Sequence, residues 1–214
     1  DDGDGIINIT AATTLSGAVA ETGDDLGVLN VGAATTMSVA SFVRDVNITA
    51  GITDLNAAMA FDTIDLTNAT AAVKIGNTLV GATGSQTTIV TMNHTDNLVT
   101  LDGTADVAAN ITVATDGFGE IEIKGAMDMV GNIGSSTILK VALVDVDETV
   151  DIENNVFADV TTLATGKTMS IRGAIEDIIY TGTINGDADA DGGQGNIIIN
   201  NTAAAANAIT FTGA

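Results

Sequence analysis

The chain has 214 residues, 28 acidic against 6 basic side chains, a net charge of −22, and no Pro, Cys or Trp. Nucleic acids are held by clustered Lys and Arg, so this charge balance excludes them as partners, and it argues equally against an anionic membrane surface. Without Cys there is no disulfide framework and no thiolate metal site, and the apolar runs are too short for a membrane-spanning helix.

Hydrophobic residues make up 45% of the chain, yet five Phe and one Tyr are its only aromatics. A core must therefore be built from Ile, Val, Leu, Ala and the methyls of Thr and Met. That wealth of β-branched residues argues against disorder, and the length suffices to bury a core. At an average usage of about 5%, roughly 11 prolines are expected. Their absence calls for a structural reason.

The N-terminus opens on an acidic, Gly-rich turn, Asp1-Asp2-Gly3-Asp4-Gly5, that leads into Ile6-Ile7-Asn8-Ile9. Asp1, Asp2 and Asp4 form a candidate calcium cluster, because hard carboxylate oxygens suit a hard cation. With no Met and no leader at its start, the chain reads as a processed product or a segment of something longer. Asn8-Ile9-Thr10-Ala11-Ala12-Thr13-Thr14-Leu15-Ser16 then returns as Asn30-Val31-Gly32-Ala33-Ala34-Thr35-Thr36-Met37-Ser38, an offset of 22 residues from 8 to 30. Repetition at a fixed period is the signature of a repeat architecture.

Apolar-polar-apolar triplets recur down the rest of the chain. They begin at Ile7, Leu29, Val46, Ile64, Val73, Val99, Ile111, Ile121, Leu139, Val150, Met169, Ile178, Ile197 and Ile209, at gaps that cluster near 10 or near 20. Strict alternation places both apolar side chains on one face of a strand, and Gly, Asn and Asp after most triplets supply turns. The spacing predicts an all-β fold, a β-solenoid (β-helix) of irregular coils of about 20 residues, as one domain over 1–214. It also explains the missing Pro, which would delete a ladder hydrogen bond in every coil it entered. Tandem β-sandwich domains are the alternative, although sandwiches carry more aromatics. The Ala-rich stretches Asp54 to Phe61 and Ala203 to Ala208 are too short to hold as helices.

Few residues point to chemistry. Asp145 and Asp147 share one side of a strand, as do Asp151 and Glu153, and like charges side by side are costly unless a cation bridges them. An ion bridge or a polysaccharide-lyase site with Lys140 or Arg172 as base fits the residue types. The six cations, Arg44, Lys74, Lys124, Lys140, Lys167 and Arg172, are scattered along the sequence, so a hydrated outer face and a non-enzyme are the reading. His94 is the only histidine, and nothing in its spacing supports a triad or a metal site. Asp187-Ala188-Asp189-Ala190-Asp191-Gly192 matches the first half of a calcium loop, with Asp187, Asp189 and Asp191 as ligands. Ile198 stands where an EF-hand needs Glu, so further oxygens would come from Asn185, Gln194 or backbone carbonyls. Thr-x-Thr triplets at Thr181 and Thr210 do not recur at a coil spacing, so an ice-binding lattice is not indicated.

The Ala/Thr/Asn/Gly composition, the Asn-Ile-Thr-Ala-Ala-Thr-Thr repeat and the Asp-Ala-Asp-Ala-Asp-Gly-Gly turn resemble bacterial surface-layer and surface-adhesin proteins. They are similar in style to the β-helical surface layers of alphaproteobacteria and to rickettsial-type autotransporter passengers. The resemblance implies an exported, calcium-assisted structural array at the cell surface. The chain departs from the calcium-binding nonapeptide family, because Asp191-Gly192-Gly193-Gln194-Gly195 is only a fragment of that repeat. The expectation is a non-enzymatic extracellular structural protein whose partner is itself, a homopolymer forming a filament or surface layer by edge-strand pairing with cations in the seams. The alternative is an adhesin stalk or passenger binding module that contacts a host or cell-surface glycan.

Overall fold

A computed structural model describes residues 3–21, 23–82, 87–172, 177–186, 195–200 and 208–212. Among them there are strands, turns and bends but no helix, and every strand-to-strand ladder is parallel. The chain winds in stacked turns of roughly 22 residues, a β-solenoid.

Each coil visits three faces in turn. The first face stacks β1 (Ile6–Ile9), β3 (Leu26–Val31), β5 (Ser41–Ile48), β7 (Met59–Leu66), β10 (Ile89–Met92) and β12 (Asn110–Val113). It runs on through single bridges from Ile111 to Ile133 and from Ile133 to Val156. The second face stacks β2 (Thr13–Leu15), β4 (Thr35–Met37), β6 (Gly51–Leu55), β8 (Ala71–Ile75), β11 (Leu98–Leu101) and β13 (Phe118–Ile123). Beyond these come β15 (Val141–Val146) and the later parts of β17 (Val156–Leu163) and β19 (Ile178–Gly186), whose first parts continue the first face together with β21 (Ile209–Thr212). The third face holds β14 (Met127–Met129), β16 (Val150–Ile152), β18 (Thr168–Arg172) and β20 (Asn196–Asn200). Its earlier part is formed by the first halves of β5 and β7, then by β9 (Leu79–Val80) and Val107.

Register follows the sequence repeat. Asn8 stands beside Asn30 and Thr13 beside Thr35, so the 22-residue offset is one full coil. The triplets at Leu29, Val46 and Ile64 stack in one inward column, while Ile111 and Ile121 stand on successive faces of a single coil. Short gaps are therefore steps around a coil, and long gaps are complete turns or most of one.

The core is a stack of these columns. Leu29, Ile64, Val90 and Ile111 are wholly buried, as are Val31, Ile48, Leu66 and Met92 beside them. Each such side chain contributes about 1.5–3 kcal/mol on leaving water. The bore is narrow, and of the rings only Phe61 and Tyr180 lie fully inside. Stretch Asp54 to Phe61 divides between β6 and β7, because pairing with the coils above and below satisfies its backbone better than one short helix does. Ala203–Asn207 lie outside the described residues.

One corner needs glycine. A Cβ on Gly103 or Gly125 would overlap the carbonyl oxygen of the glycine one coil away, Gly76 and Gly103 respectively. Backbone-to-backbone contact at this corner allows the coils to stack at strand spacing.

Candidate functional site

The two rims expose side chains that belong to the core. Ile7 lies in the inward column of Leu29, yet it is 41% exposed because no described coil covers it. At the other rim Ile197 and Ile199 continue the inward columns of Met169 and Ile171, with 43% and 55% exposed. Phe211 stacks on Tyr180 with ring centroids 5.6 Å apart and is itself half-exposed. Among the described residues, no strand pairs with the outer edges of β1, β2, β20 or β21.

Asparagine ladders run along the first face. The Asn30 amide donates to Asn8 at 2.8 Å, and the Asn47 amide donates to Asn30 at 3.0 Å. A second ladder is better connected. Asn132 donates through its backbone and side chain to Asn110 Oδ1, at 2.9 and 3.0 Å. Asn155 does the same to Asn132 Oδ1, at 3.2 and 3.0 Å, and accepts from the Ile179 backbone at 2.8 Å. Beside it lies an open groove of about 350 Å³, lined by residues that include Thr112, Gly134 and Phe157, none of them charged.

The other two faces carry charge in rows. On the second face Glu122 stands beside Asp145, with Glu120 nearby. Thr100 donates to Glu122 at 3.1 Å, Lys124 pairs with Glu122 at 2.6 Å, and Thr162 donates to Asp145. Burial, and then the neighbouring Glu122 and Asp145, push the Glu120 carboxyl above its ordinary range. On the third face Asp128 stands beside Asp151, and burial followed by the charges of Asp151 and Asp106 raises the Asp128 carboxyl likewise. Asp145 and Asp147 both lie close enough to Lys124 to raise its ammonium pKa, after the larger effect of Glu122.

All six cations have an acidic neighbour of their own. The pairs are Arg44 with Asp25 at 4.0 Å, Lys74 with Asp102 and Lys167 with Glu148 at 2.6 Å each, Lys124 with Glu122, Lys140 with Asp159, and Arg172 with Asp151. The two residues suggested as a lyase base, Lys140 and Arg172, are thus held in separate ion pairs. Lys140 also ties its loop down, donating through its backbone to Asp116 at 2.8 Å.

Of the calcium candidates, Asp1, Asp2, Asp187, Asp189 and Asp191 lie outside the described residues. Asp4 is exposed and lines a shallow depression with Asp24 and Asp25. Among the described residues no three acidic or histidine side chains are grouped to hold a metal ion. His94 shapes a turn: its Nδ1 accepts from the Asp96 backbone at 3.2 Å, while the buried Asn97 Oδ1 accepts from the Asn93 and His94 backbones. Thr181 and Thr212 share a 2.7 Å hydroxyl contact at the rim.

The asparagine ladders are the feature that sequence reasoning missed. Their signal was present, since Asn recurs at 8, 30 and 47 and again at 110, 132 and 155, one residue per coil. It was hidden inside the general abundance of Asn. No family model matches this chain, nor does any curated protein or solved structure.

Proposed function

We propose that this chain is a non-enzymatic, extracellular structural protein that extends into a filament or surface layer by end-to-end pairing of its rim strands. The supporting observation is the exposure of inward-column residues at both rims, Ile7 at one and Ile197, Ile199 and Phe211 at the other. An unfinished ladder offers both backbone hydrogen bonds and apolar columns to a further strand. A head-to-tail contact that does not close on itself gives an open fibre. At −22 per copy the assembly repels itself, so cations, calcium among them, lower the cost of the seam.

Electron microscopy of the purified chain tests this reading. Filaments or lattices are expected, and they should disperse when Ile7→Lys places a charge at the rim but persist with Thr36→Lys, on the outward side of a strand covered by coils above and below. Isolated rods under all ionic conditions would refute assembly and favour an adhesin stalk. Assembly indifferent to chelator and to ionic strength would remove the role of cations.

A further inference from the structure

One stretch of an outward column of the first face reads the same in both directions. Ile89 stands beside Asn110, which is bonded to Asn132, then to Asn155, whose side chain accepts from the Ile179 backbone. From Ile89 to Ile179 the column is therefore Ile-Asn-Asn-Asn-Ile, centred on Asn132, and beyond Ile89 it continues to Thr63 and Asp45. Its two end residues are large apolar side chains, 43% and 37% exposed, and the groove beside it has no charged lining. We propose that this strip is a two-fold contact with a second copy of the same chain, the two rods lying antiparallel. A two-fold axis lying in the interface plane over Asn132, at right angles to the rods, brings Ile89 of one copy against Ile179 of the partner copy, and the reverse, as an isologous interface requires.

Charge argues for this occupant and this face. Two chains of −22 can approach side by side only where neither presents a row of carboxylates. The second face presents Glu120, Glu122 and Asp145, and the third presents Asp106, Asp128 and Asp151. The Ile-Asn-Asn-Asn-Ile strip crosses neither row. The contact is small. Five strands at about 4.8 Å spacing, each about four residues wide, cover roughly 250–300 Å², well under the roughly 800 Å² per partner of a stable complex. It is accordingly a weak lateral contact, suited to rods already held close together. It is independent of end-to-end pairing.

The absence of Cys makes the test clean. In the double variant Ile89→Cys/Ile179→Cys the two thiols of one chain lie four coils apart, about 19 Å, beyond the reach of a disulfide. Any disulfide must join two copies. The matched control is Thr100→Cys/Asn185→Cys, also four coils apart but on the charged second face. Mild oxidation of both, in an Ile7→Lys background that blocks end docking, should give covalent dimer from the first pair at tenfold or more the control yield. The product should stop at dimer, because a two-fold contact closes. Equal yields, no dimer, or a ladder of higher oligomers would overturn the proposal. Filaments that fail to form with Ile7 restored, while this dimer is still trapped, would count against end-to-end assembly alone.

Discussion

Replacing Asn132 with Ala tests whether the second asparagine ladder holds its coils together. The side chain makes three hydrogen bonds: its amide donates to Asn110 Oδ1 at 3.0 Å, and its carbonyl accepts from the backbone and side chain of Asn155 at 3.2 and 3.0 Å. At about 1 kcal/mol net for each bond, Asn132→Ala should cost about 3 kcal/mol. Asn8→Ala at the rim removes one exposed bond, from Asn30, and should cost about 1 kcal/mol or less. Solenoid coils contact chiefly their neighbours, so the loss is local and global unfolding need not be two-state. Native-state hydrogen exchange is the suitable assay, read at the amides of Ile111, Ile133 and Phe157. Protection there should fall by roughly a hundredfold for a loss of about 3 kcal/mol, while the coils near Val46 stay unchanged. Equal effects for the Asn132 and Asn8 variants would refute the view that the ladder binds coils together.

Thr53 is wholly buried on the inward side and its hydroxyl has no partner among the described residues, so Thr53→Val should stabilise the protein by about 1 kcal/mol or more, measured by urea denaturation. Tyr180 is the only tyrosine, and burial outweighs its hydrogen bond to Thr161 to push the phenol up to about 12. Its ultraviolet titration should therefore show no ionisation at pH 10, whereas a midpoint near 10 in folded protein would show the ring to be solvated. Glu120 and Asp128 have raised pKa values in the folded state. Their contribution opposes folding above those values and vanishes below the unfolded ones, so these two groups favour greater stability as pH falls through that interval. Glu120→Gln and Asp128→Asn should each raise the thermal midpoint at pH 7 and lessen the stabilising effect of added salt. Scans that show neither change would contradict the crowding of these carboxylates.

The fold was legible because its two governing signals are local. Period-two alternation, as in Ile121-Glu122-Ile123, marks a strand with one buried face, and the return of Asn8–Ser16 at Asn30–Ser38 fixed the register of the first two coils. The third face was harder to see. In two early coils it has no separate strand: Ser41–Val43 and Met59–Phe61 continue into the first face as parts of β5 and β7, the ladder skipping Arg44 and Asp62. The triplet at Leu139 also belongs to no single strand, since Leu139 closes a loop against Ser135 and Ser136 before β15 begins. The side-by-side carboxylates expected from the sequence lay along one segment, Asp145 with Asp147, whereas the acidic rows run across coils, Glu122 beside Asp145 and Asp128 beside Asp151. The pairing of every cation with its own acid depends on which coils become neighbours, and spacing alone does not reveal that. Lys140 with Asp159 and Arg172 with Asp151 are each bonded across coils, 19 and 21 residues apart in sequence.

The coils differ in length while their strands keep register. From Ile75 to its partner Leu101 the chain takes 26 residues, and from Leu15 to Met37 only 22, yet both steps advance the rod by one strand spacing. Extra residues are shed at corners and leave the ladder untouched. Such a molecule behaves as a ruler whose graduations are whole turns. Gain or loss of a turn by duplication or deletion would change its reach by about 4.8 Å, and point insertions at corners would leave that reach unaltered.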